Sequence, residues 1–378
     1  MNRLWKYSLV ACTFLLLLGC GERQGRVPFA AEGLFNLEDT LTAGLDYLPG
    51  VEHVDVWLQA DGYSNNVVLT HFQDRYYCMW QHSERDEDTP DTHVLYATSR
   101  DGKAWSGPMV LAGPTDSCFV SPGGWIQRGD SLSALLNYIR ADDRKAGGSA
   151  WFTSTRDGLS WSAPQPVLLA DGNPIQGLFE QDPLPLAGGR TVGAIHFMPG
   201  LELCPVYTDD PSALRGWTKA VFPPGEDSPL EPSQYARPDG SLVMLLRDQQ
   251  SSFVKLASIS CDSGQSWSAP VRTNLPDSRS KQCAGTLPSG TAFWVGNPTG
   301  NKSRRLLAIG LSQDGVAFDR AYLLSGPADL PAQRTPGRYK TLGYNYPKAH
   351  LAEDALWISL SLNKERVVLF RIPLKLLN

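Results

Sequence analysis

The stretch Ser99-Arg100-Asp101-Gly102-Lys103-Ala104-Trp105 decides the fold, because the chain repeats it at regular intervals. Close copies begin at Thr155 and Ser260, and weaker copies begin at Thr208 and Ser312. The aspartates at positions 101, 157, 210, 262 and 314 are separated by 56, 53, 52 and 52 residues. A fixed period near 50 residues is typical of an array of similar units, such as the blades of a propeller.

Each copy has the composition of a tight turn between two strands. The aspartate accepts hydrogen bonds from the backbone N–H groups that follow it, and glycine tolerates positive φ. A strand-like run such as 92–97 precedes the turn, and a short apolar run such as 109–111 follows it. The pattern resembles the Asp-box, or bacterial neuraminidase repeat, of the sialidase superfamily. The resemblance implies that the motif joins the third and fourth strands of a blade, at the end away from the active site.

The length of the chain fits one closed ring of such units. Six blades of about 52 residues need roughly 312 residues, which a leader and a tether leave available in a chain of 378. We therefore predict an all-β fold, a single six-bladed β-propeller of the sialidase type over residues 35–378. The strand that completes the sixth blade is expected within residues 35–58, because closure removes the open sheet edges.

The N-terminal residues have the pattern of a lipoprotein leader. Arg3 and Lys6 precede an apolar run over 7–18, which is too short for a membrane span and typical of a secretory signal. The run ends in Leu17-Leu18-Gly19-Cys20, which resembles the lipobox of bacterial lipoproteins. The resemblance implies that residues 1–19 are a signal peptide, that Cys20 is acylated, and that 20–34 form a tether. It predicts a lipid-anchored protein of the bacterial cell envelope, on the outer membrane or facing the periplasm.

The composition and motifs exclude several function classes. A net charge of −5 provides no basic footprint for nucleic acid. The sequence contains no Walker loop, Rossmann glycine fingerprint, HExxH motif or CxxC pair. We therefore predict no cofactor, no metal and no nucleic-acid partner. The expected partner is a glycan substrate, and the expected state is a monomer.

The sialidase resemblance supplies the candidate catalytic residues. Glu231, in a Glu-Pro-Ser run, matches the glutamate that activates the nucleophile, and Tyr346, in a Tyr-Asn-Tyr-Pro run, matches the nucleophilic tyrosine. Because the pKa of a free tyrosine is near 10, this nucleophile requires a carboxylate base. The acidic loop after the second strand of blade one matches the segment that carries the general acid. We favour Asp88 for that role, then Asp91, then Asp86.

The same resemblance implies an arginine clamp for the carboxylate of the substrate. Arg247 follows Glu231 by 16 residues, the spacing that two strands and a hairpin require to bring both to one rim. Arg305 is the better match for a further arginine, and its neighbour Arg304 is expected to point the other way. A guanidinium suits this role because it pairs bidentately with a carboxylate and stays charged. The predicted substrate-binding set also includes Lys281 and Asp182.

The chain departs from the sialidase pattern at the start of blade one. Sialidases carry an Arg-Ile-Pro segment there, and this chain has Tyr63-Ser64-Asn65-Asn66. Similar strings occur elsewhere in the chain, and we interpret them as coincidence. They are Phe370-Arg371-Ile372-Pro373 and Arg26-Val27-Pro28. The predicted clamp therefore holds two arginines, and Lys281 is a candidate for the missing positive charge.

These residues together predict an exo-acting glycoside hydrolase that cleaves a terminal acidic sugar, either sialic acid or a related keto-sugar acid. In the expected retaining mechanism, Asp88 protonates the leaving oxygen, Tyr346 attacks the anomeric carbon and Glu231 takes its proton. Two alternatives stay open. One is a propeller lyase or hydrolase on uronic-acid glycans that pairs the tyrosine with His82 or His196. The other is a non-catalytic carbohydrate-binding lipoprotein.

Overall fold

Each repeat folds as an antiparallel sheet, and six such sheets surround one axis in a computed structural model of the chain. The structure describes residues 25–58, 62–143 and 145–377, and their regular structure is almost entirely β-strand. The prediction of an all-β, six-bladed propeller is confirmed. The predicted signal peptide and the predicted lipidation site, Cys20, lie outside the described residues.

The strands follow one another blade by blade. Two strands come first: β1 (Phe29–Ala30) and β2 (Glu52–Leu58). Blade one contains β3 (Tyr63–Phe72), β4 (Arg75–Ser83), β5 (His93–Ser99) and β6 (Met109–Ala112). Blade two contains β7 (Cys118–Arg128), β8 (Ser131–Arg140), β9 (Gly148–Thr155) and β10 (Gln165–Pro166). Blade three contains β11 (Gly177–Phe179), β12 (Leu184–Pro185), β13 (Thr191–Phe197), β14 (Glu202–Thr208) and β15 (Thr218–Lys219).

The second half of the ring repeats the arrangement. Blade four contains β16 (Pro229–Ala236), β17 (Leu242–Asp248), β18 (Val254–Ser260) and β19 (Val271–Pro276). Blade five contains β20 (Cys283–Thr286), β21 (Ala292–Gly296), β22 (Leu307–Ser312), β23 (Ala317–Phe318) and β24 (Arg320–Ser325). Blade six contains β25 (Tyr344–Ala352), β26 (Ala355–Leu362) and β27 (Arg366–Pro373). Two short 3₁₀ helices are Pro327–Asp329 and Leu374–Leu376.

Blade six is closed by a strand from the N-terminal part of the chain. β2 pairs antiparallel with β27, which gives the order β2-β27-β26-β25. Arg371, from the Arg-Ile-Pro string of β27, donates to Glu52 (2.9 Å) and Asp354 (2.6 Å). This arginine therefore supports the outer part of blade six.

The apolar core lies between neighbouring blades. Trp80 of blade one and Trp357 of blade six, for example, belong to one buried cluster with Val67 and Leu369. The second strands of the blades, such as β17 and β21, are buried on both faces, which explains their near-continuous apolar runs. The ring is therefore held by blade-to-blade burial, and each inner strand has a fixed position around the axis.

The Asp-box turns have the local structure that their composition predicts. Asp101 accepts hydrogen bonds from the backbone N–H groups of Lys103 and Ala104, both at 2.9 Å, and these bonds lower its pKa to about 2. Gly102 has a φ of 69°, and a Cβ on it would lie 2.6 Å from the ring of Trp357. Glycine is therefore required at this position by both backbone and packing.

The register places the Asp-box turns and the predicted site at opposite ends of the blades. In blade four, Leu230 of β16 pairs with Arg247, whereas Leu242 at the far end of β17 pairs with Ser260, which begins the Asp-box turn. We call these the cavity end and the Asp-box end. This separation makes the repeated motif a structural element and leaves the chemistry to the other end.

Residues 26–31 pack against blades four and five, beginning at the Asp-box end. β1 pairs in parallel with β23, and the Asn274 side chain exchanges two hydrogen bonds with the backbone of Ala30, at 2.7 and 2.9 Å. Arg237 donates to the carbonyl of Arg26 at 2.7 Å. Part of the segment predicted as a tether is therefore bound to the propeller.

Among residues 25–58, 62–143 and 145–377, no helix has the length and apolar character needed to cross a membrane.

Candidate active site

At the cavity end, all six blades contribute side chains to one polar cavity of about 370 Å³. The inner and second strands of the blades deliver about half of them, and loops complete the wall. The ionisable residues of its lining are Glu87, Asp88, Glu180, His196, Glu231, Arg247, Lys281, Arg304, Arg338, Tyr339, Tyr346 and Lys364.

Three inner strands reach this cavity through a bulge in their pairing. The bulges contain Asn66, Glu231 and Tyr346, whose φ values of 52°, 50° and 57° lie in the left-handed region. This conformation is costly for residues with a side chain and concentrates at functional sites, where a bulge re-aims the side chain. The fold thus places the predicted nucleophile and the predicted base on equivalent strained positions.

Tyr346 lies among three cations. The Nζ atoms of Lys281 and Lys364 are each 5.0 Å from the centre of its ring, and Cζ of Arg304 is 5.3 Å away. Burial raises the pKa of Tyr346, and the carboxylates of Glu87 and Glu231 raise it further, against the opposing effect of the arginines. The phenol is therefore held neutral, and its reaction requires removal of the proton by a base.

Glu231 and Arg247 meet, as their spacing predicts. The Oε2 atom of Glu231 accepts from Arg247 at 2.7 Å, and both side chains are largely buried. Arg247 also donates to Gln249 at 2.8 Å, and its buried Nε has no hydrogen-bond partner among the described residues. Most of this guanidinium is thus already engaged by protein groups.

The structure separates the three aspartates of the acidic loop. Asp88 lines the cavity, and Gln81 donates to it at 3.5 Å. Asp86 accepts from the backbone N–H groups of Arg338 and Tyr339. Asp91 accepts from the backbone N–H of residue 84 at 2.8 Å, within its own loop. Asp88 is therefore the member of the three that can reach a substrate, and the other two hold loops in place.

The choice of Arg305 over Arg304 is wrong. Arg305 is exposed outside the cavity, whereas Arg304 lines it and donates to Asn345 at 2.8 Å. The backbone of Arg304 forms a β-bridge to Gly343. This bridge sets the orientation in which Arg304 faces the cavity and Arg305 faces outward. Successive side chains alternate along extended chain, so a one-residue error moves the group to the opposite face.

Lys281 lies in the cavity, and Asp182 does not. Lys281 is buried, and its Nζ donates to the carboxylate of Glu180 and, at 3.4 Å, to Asn66. Asp182 lines a separate cavity of about 390 Å³ in the channel towards the Asp-box end, where it accepts from the backbone N–H of Trp125 at 2.8 Å. After Glu180 the chain runs towards the Asp-box end. Glu180 and Asp182 are two residues apart and therefore line different cavities.

A buried hairpin turn between β26 and β27 builds part of the site. Its residues Asn363, Lys364 and Glu365 are each at most 4% exposed. Lys364 donates to Glu87 at 2.6 Å, and Glu87 also accepts from Tyr63 at 2.9 Å. Sequence reasoning missed this turn, because a polar Asn-Lys-Glu run between apolar strands is typical of a surface hairpin.

The same turn holds the loop that joins blades five and six. Glu365 accepts from the backbone N–H groups of Arg334 and Thr335 at 3.0 and 2.9 Å. Asn363 accepts from the backbone N–H of Gly343 at 2.9 Å. The order of the strands did contain a signal for this turn. The hairpin between the second and third strands of a blade lies at the cavity end, so its polar residues must face the cavity.

The two histidines considered for a lyase differ in position. His196 lines the cavity between Glu180, whose Oε1 lies 3.3 Å from its Nδ1, and the backbone N–H of Glu231, 3.4 Å from its Nε2. His82 is buried beside Ser64, and burial lowers its pKa to about 4. Both nitrogens of the histidine that reaches the cavity therefore already face protein partners.

The charges in the cavity are almost balanced. Its lining holds five lysines and arginines and four aspartates and glutamates. The inner cations Arg247, Lys281 and Lys364 each pair with a carboxylate. Arg304 has no carboxylate within 4.0 Å among the described residues, so it is the inner cation most available to an anionic ligand. The described residues contain no cluster of three or more His, Cys, Asp or Glu that suits a metal ion.

The family model for the BNR repeat-like domain matches residues 74–358 of this chain. No curated protein sequence matches it.

Several solved structures have a similar fold. A sialidase superposes with a TM-score of 0.66 at 19% identity, over 92% of this chain and 35% of its own. A protein of unknown function from Dyadobacter fermentans has a TM-score of 0.65 at 15% identity, over 86% of this chain and 99% of its own. The intramolecular trans-sialidase from Ruminococcus gnavus has a TM-score of 0.60 at 12% identity, over 86% of this chain and 98% of its own. This chain therefore spans about a third of the first of these proteins and nearly all of the other two.

Proposed function

From the premise that the chain belongs to the BNR repeat-like domain family and has a sialidase-like fold, we propose that it is an exo-acting glycoside hydrolase. Its substrate is a glycan that ends in an acidic sugar, either sialic acid or a related keto-sugar acid. One observation carries the proposal: Tyr346, Glu231 and Arg304 converge on a single cavity, and the first two sit on strained bulges.

The size of the cavity supports removal of a terminal sugar. Its volume of about 370 Å³ is near the lower end of the usual range for ligand pockets, roughly 300–1,000 Å³. Such a cavity accommodates one sugar ring and leaves the rest of the glycan outside. Arg304 holds the carboxylate of that sugar, and the paired lysines Lys281 and Lys364 contribute positive potential behind it.

The first half of the reaction forms a glycosyl-enzyme. The phenol oxygen of Tyr346 bonds to the anomeric carbon while the bond from that carbon to the leaving oxygen breaks. Asp88 gives its proton to the leaving oxygen, and Glu231 takes the proton of Tyr346. A tyrosine suits this role, because a neutral nucleophile avoids repulsion by the carboxylate of the substrate.

The second half releases the sugar. Water attacks the anomeric carbon and gives its proton to Asp88, and the departing oxygen of Tyr346 recovers its proton from Glu231. Two displacements at one carbon retain the configuration. The arrangement of His196 favours this hydrolase over a lyase, because the ring already faces Glu180 and the backbone of Glu231.

The location and assembly of the protein are part of the same proposal. Acylation at Cys20 anchors it in the bacterial cell envelope, where it works as a monomer on glycans.

The test compares the detergent-purified full chain with its Tyr346→Phe variant. Both are incubated with fluorogenic glycosides of sialic acid, related keto-sugar acids and uronic acids, and uronic polymers are followed by ultraviolet absorbance. Release from a sialoside or keto-sugar glycoside that the variant lacks is the expected result. Rising ultraviolet absorbance would instead identify a lyase. Ligand binding without turnover by either protein would identify a binding protein.

A further inference from the structure

The N-terminal segment joins the propeller at a defined place. The backbone of Phe29–Ala30 pairs with β23 beside the Asp-box turn of blade five, and Asn274 fixes Ala30 through two hydrogen bonds. The buried Arg237 holds the carbonyl of Arg26. The contacts of Arg26 and of Phe29 lie at the Asp-box end, beside the Asp-box turn of blade five, and from there the segment runs along the blades to Asn274.

The cavity opens at the other end of the same blades. β22 begins beside Arg304 in the cavity wall and ends at Ser312, which starts the Asp-box turn of blade five. An inner strand such as β3 has ten residues, and at about 3.3 Å per residue the two ends lie roughly 30 Å apart.

The chain between the proposed lipid and this attachment is short. Cys20 precedes Arg26 by six residues, which span at most about 20 Å when fully extended. This reach is smaller than the height of a blade. An acyl chain on Cys20 therefore holds the Asp-box end near the lipid surface, whatever conformation the intervening residues adopt.

We propose that the Asp-box end of the propeller faces the membrane and that the cavity opens away from it. The inference rests on the proposed acylation of Cys20, and it holds whether or not the cavity hydrolyses a glycan. The partner is a lipid bilayer, reached through the anchor. Such an enzyme acts on glycans that approach from the aqueous side, and short glycolipid headgroups of its own membrane lie out of reach.

Energy transfer to the bilayer tests this orientation. A donor dye is attached through an unnatural amino acid either at Leu159, which is 77% exposed in the Asp-box turn of blade two, or at Lys302, which is exposed at the cavity end of blade five. The acylated full chain is added from detergent to preformed vesicles that carry acceptor dyes on their headgroups. We expect higher transfer efficiency from position 159 than from position 302.

Two variants make the test specific. An unstructured Gly-Ser insertion of about 30 residues after Gln24 adds a mean reach of roughly 30 Å, and it should abolish the difference between the two positions. Asn274→Ala removes the two hydrogen bonds to Ala30 from an exposed side chain, and it should reduce the difference without unfolding the blade.

The outcomes are distinguishable from failure of the proposed function, because no substrate is involved. Equal transfer from the two positions, or higher transfer from position 302, would overturn the orientation. Transfer from neither position, with the same result for Cys20→Ser, would overturn the anchor on which the orientation rests.

Discussion

The axial channel contains two cavities of nearly equal volume, about 370 Å³ at the cavity end and about 390 Å³ towards the Asp-box end. They differ in chemistry. The first receives bulged residues from three inner strands and holds three buried ion pairs. The second holds one acid, Asp182, together with Lys348, Arg128 and His350, and among the described residues none of these bases lies within 4.0 Å of the Asp182 carboxylate. In this molecule, strained strand ends and paired charges mark the site better than volume does.

The lysines of the two cavities show the contrast most directly. Lys281 at the cavity end donates to Glu180, and the interaction outweighs the effect of burial, so its pKa is raised. Lys348 in the second cavity has no hydrogen-bond partner for Nζ among the described residues. Burial and the nearby Lys281 lower its pKa to about 7. The first cavity therefore stabilises the charged form of its buried lysine, and the second destabilises it.

The largest loss of activity is expected from substitution of Asp88, the proposed general acid. Asp88→Asn should lower kcat by about 10²–10⁴-fold for substrates with poor leaving groups, because general acid catalysis contributes that much. The loss should be small for aryl glycosides whose leaving group needs no proton. Asp91→Asn is the matched control, since Asp91 bonds within its own loop. An equal loss in the control would remove Asp88 from this role.

The neighbouring arginines give the next largest effect. Arg304→Gln should raise KM for an acidic sugar by about 10–100-fold, since a charge-assisted hydrogen bond contributes about 1.5–3 kcal/mol. Arg305→Gln should leave KM unchanged, because Arg305 is exposed outside the cavity. Steady-state kinetics of the two variants measure the difference. The reverse pattern would contradict the placement of the anion.

The second cavity should affect stability and leave catalysis unchanged. Burial raises the pKa of Asp182 from 3.8 to about 6 and lowers that of Lys348 from 10.5 to about 7. The folded state therefore binds more protons than the unfolded state between about pH 4 and 6, and fewer between about pH 7 and 10. Stability falls with pH in the first window and rises in the second.

The double variant Asp182→Asn, Lys348→Met tests this pair. It should lose the dip in melting temperature near pH 6–7, and its kcat and KM should match those of the natural chain. Melting curves from pH 4 to 10 measure the first effect. A changed KM would show that the second cavity also binds substrate, and the comparison between the two cavities would fail.

The fold was predictable because its signal is local and repeated. An Asp-Gly turn requires only neighbouring residues, and a period near 52 residues counts the blades. The resemblance to the sialidase superfamily is confirmed by the family match and by the six-bladed fold. The strand Glu52–Leu58 also lies within the range expected for ring closure.

The site was predictable only where its contacts follow from spacing. Glu231 and Arg247 occupy paired strands of one hairpin, so 16 residues bring them together. The contact of Glu87 with Lys364 joins loops of blades one and six across 277 residues, and no local pattern indicates it. Arg304 and Arg305 differ by one position, which a sequence pattern does not resolve when the strand register is unknown.

Chemical identification of the nucleophile is the strongest test of Tyr346 as the residue that bonds to the sugar. The full chain is incubated with a fluorinated glycosyl fluoride of the acidic sugar, which forms the glycosyl-enzyme quickly and hydrolyses slowly. Mass spectrometry of the intact chain and of its peptides then locates the adduct. We predict one sugar per chain, on the peptide that contains Tyr346, and no adduct in Tyr346→Phe. Turnover of the corresponding glycoside with an adduct on another residue, or with none, would contradict it.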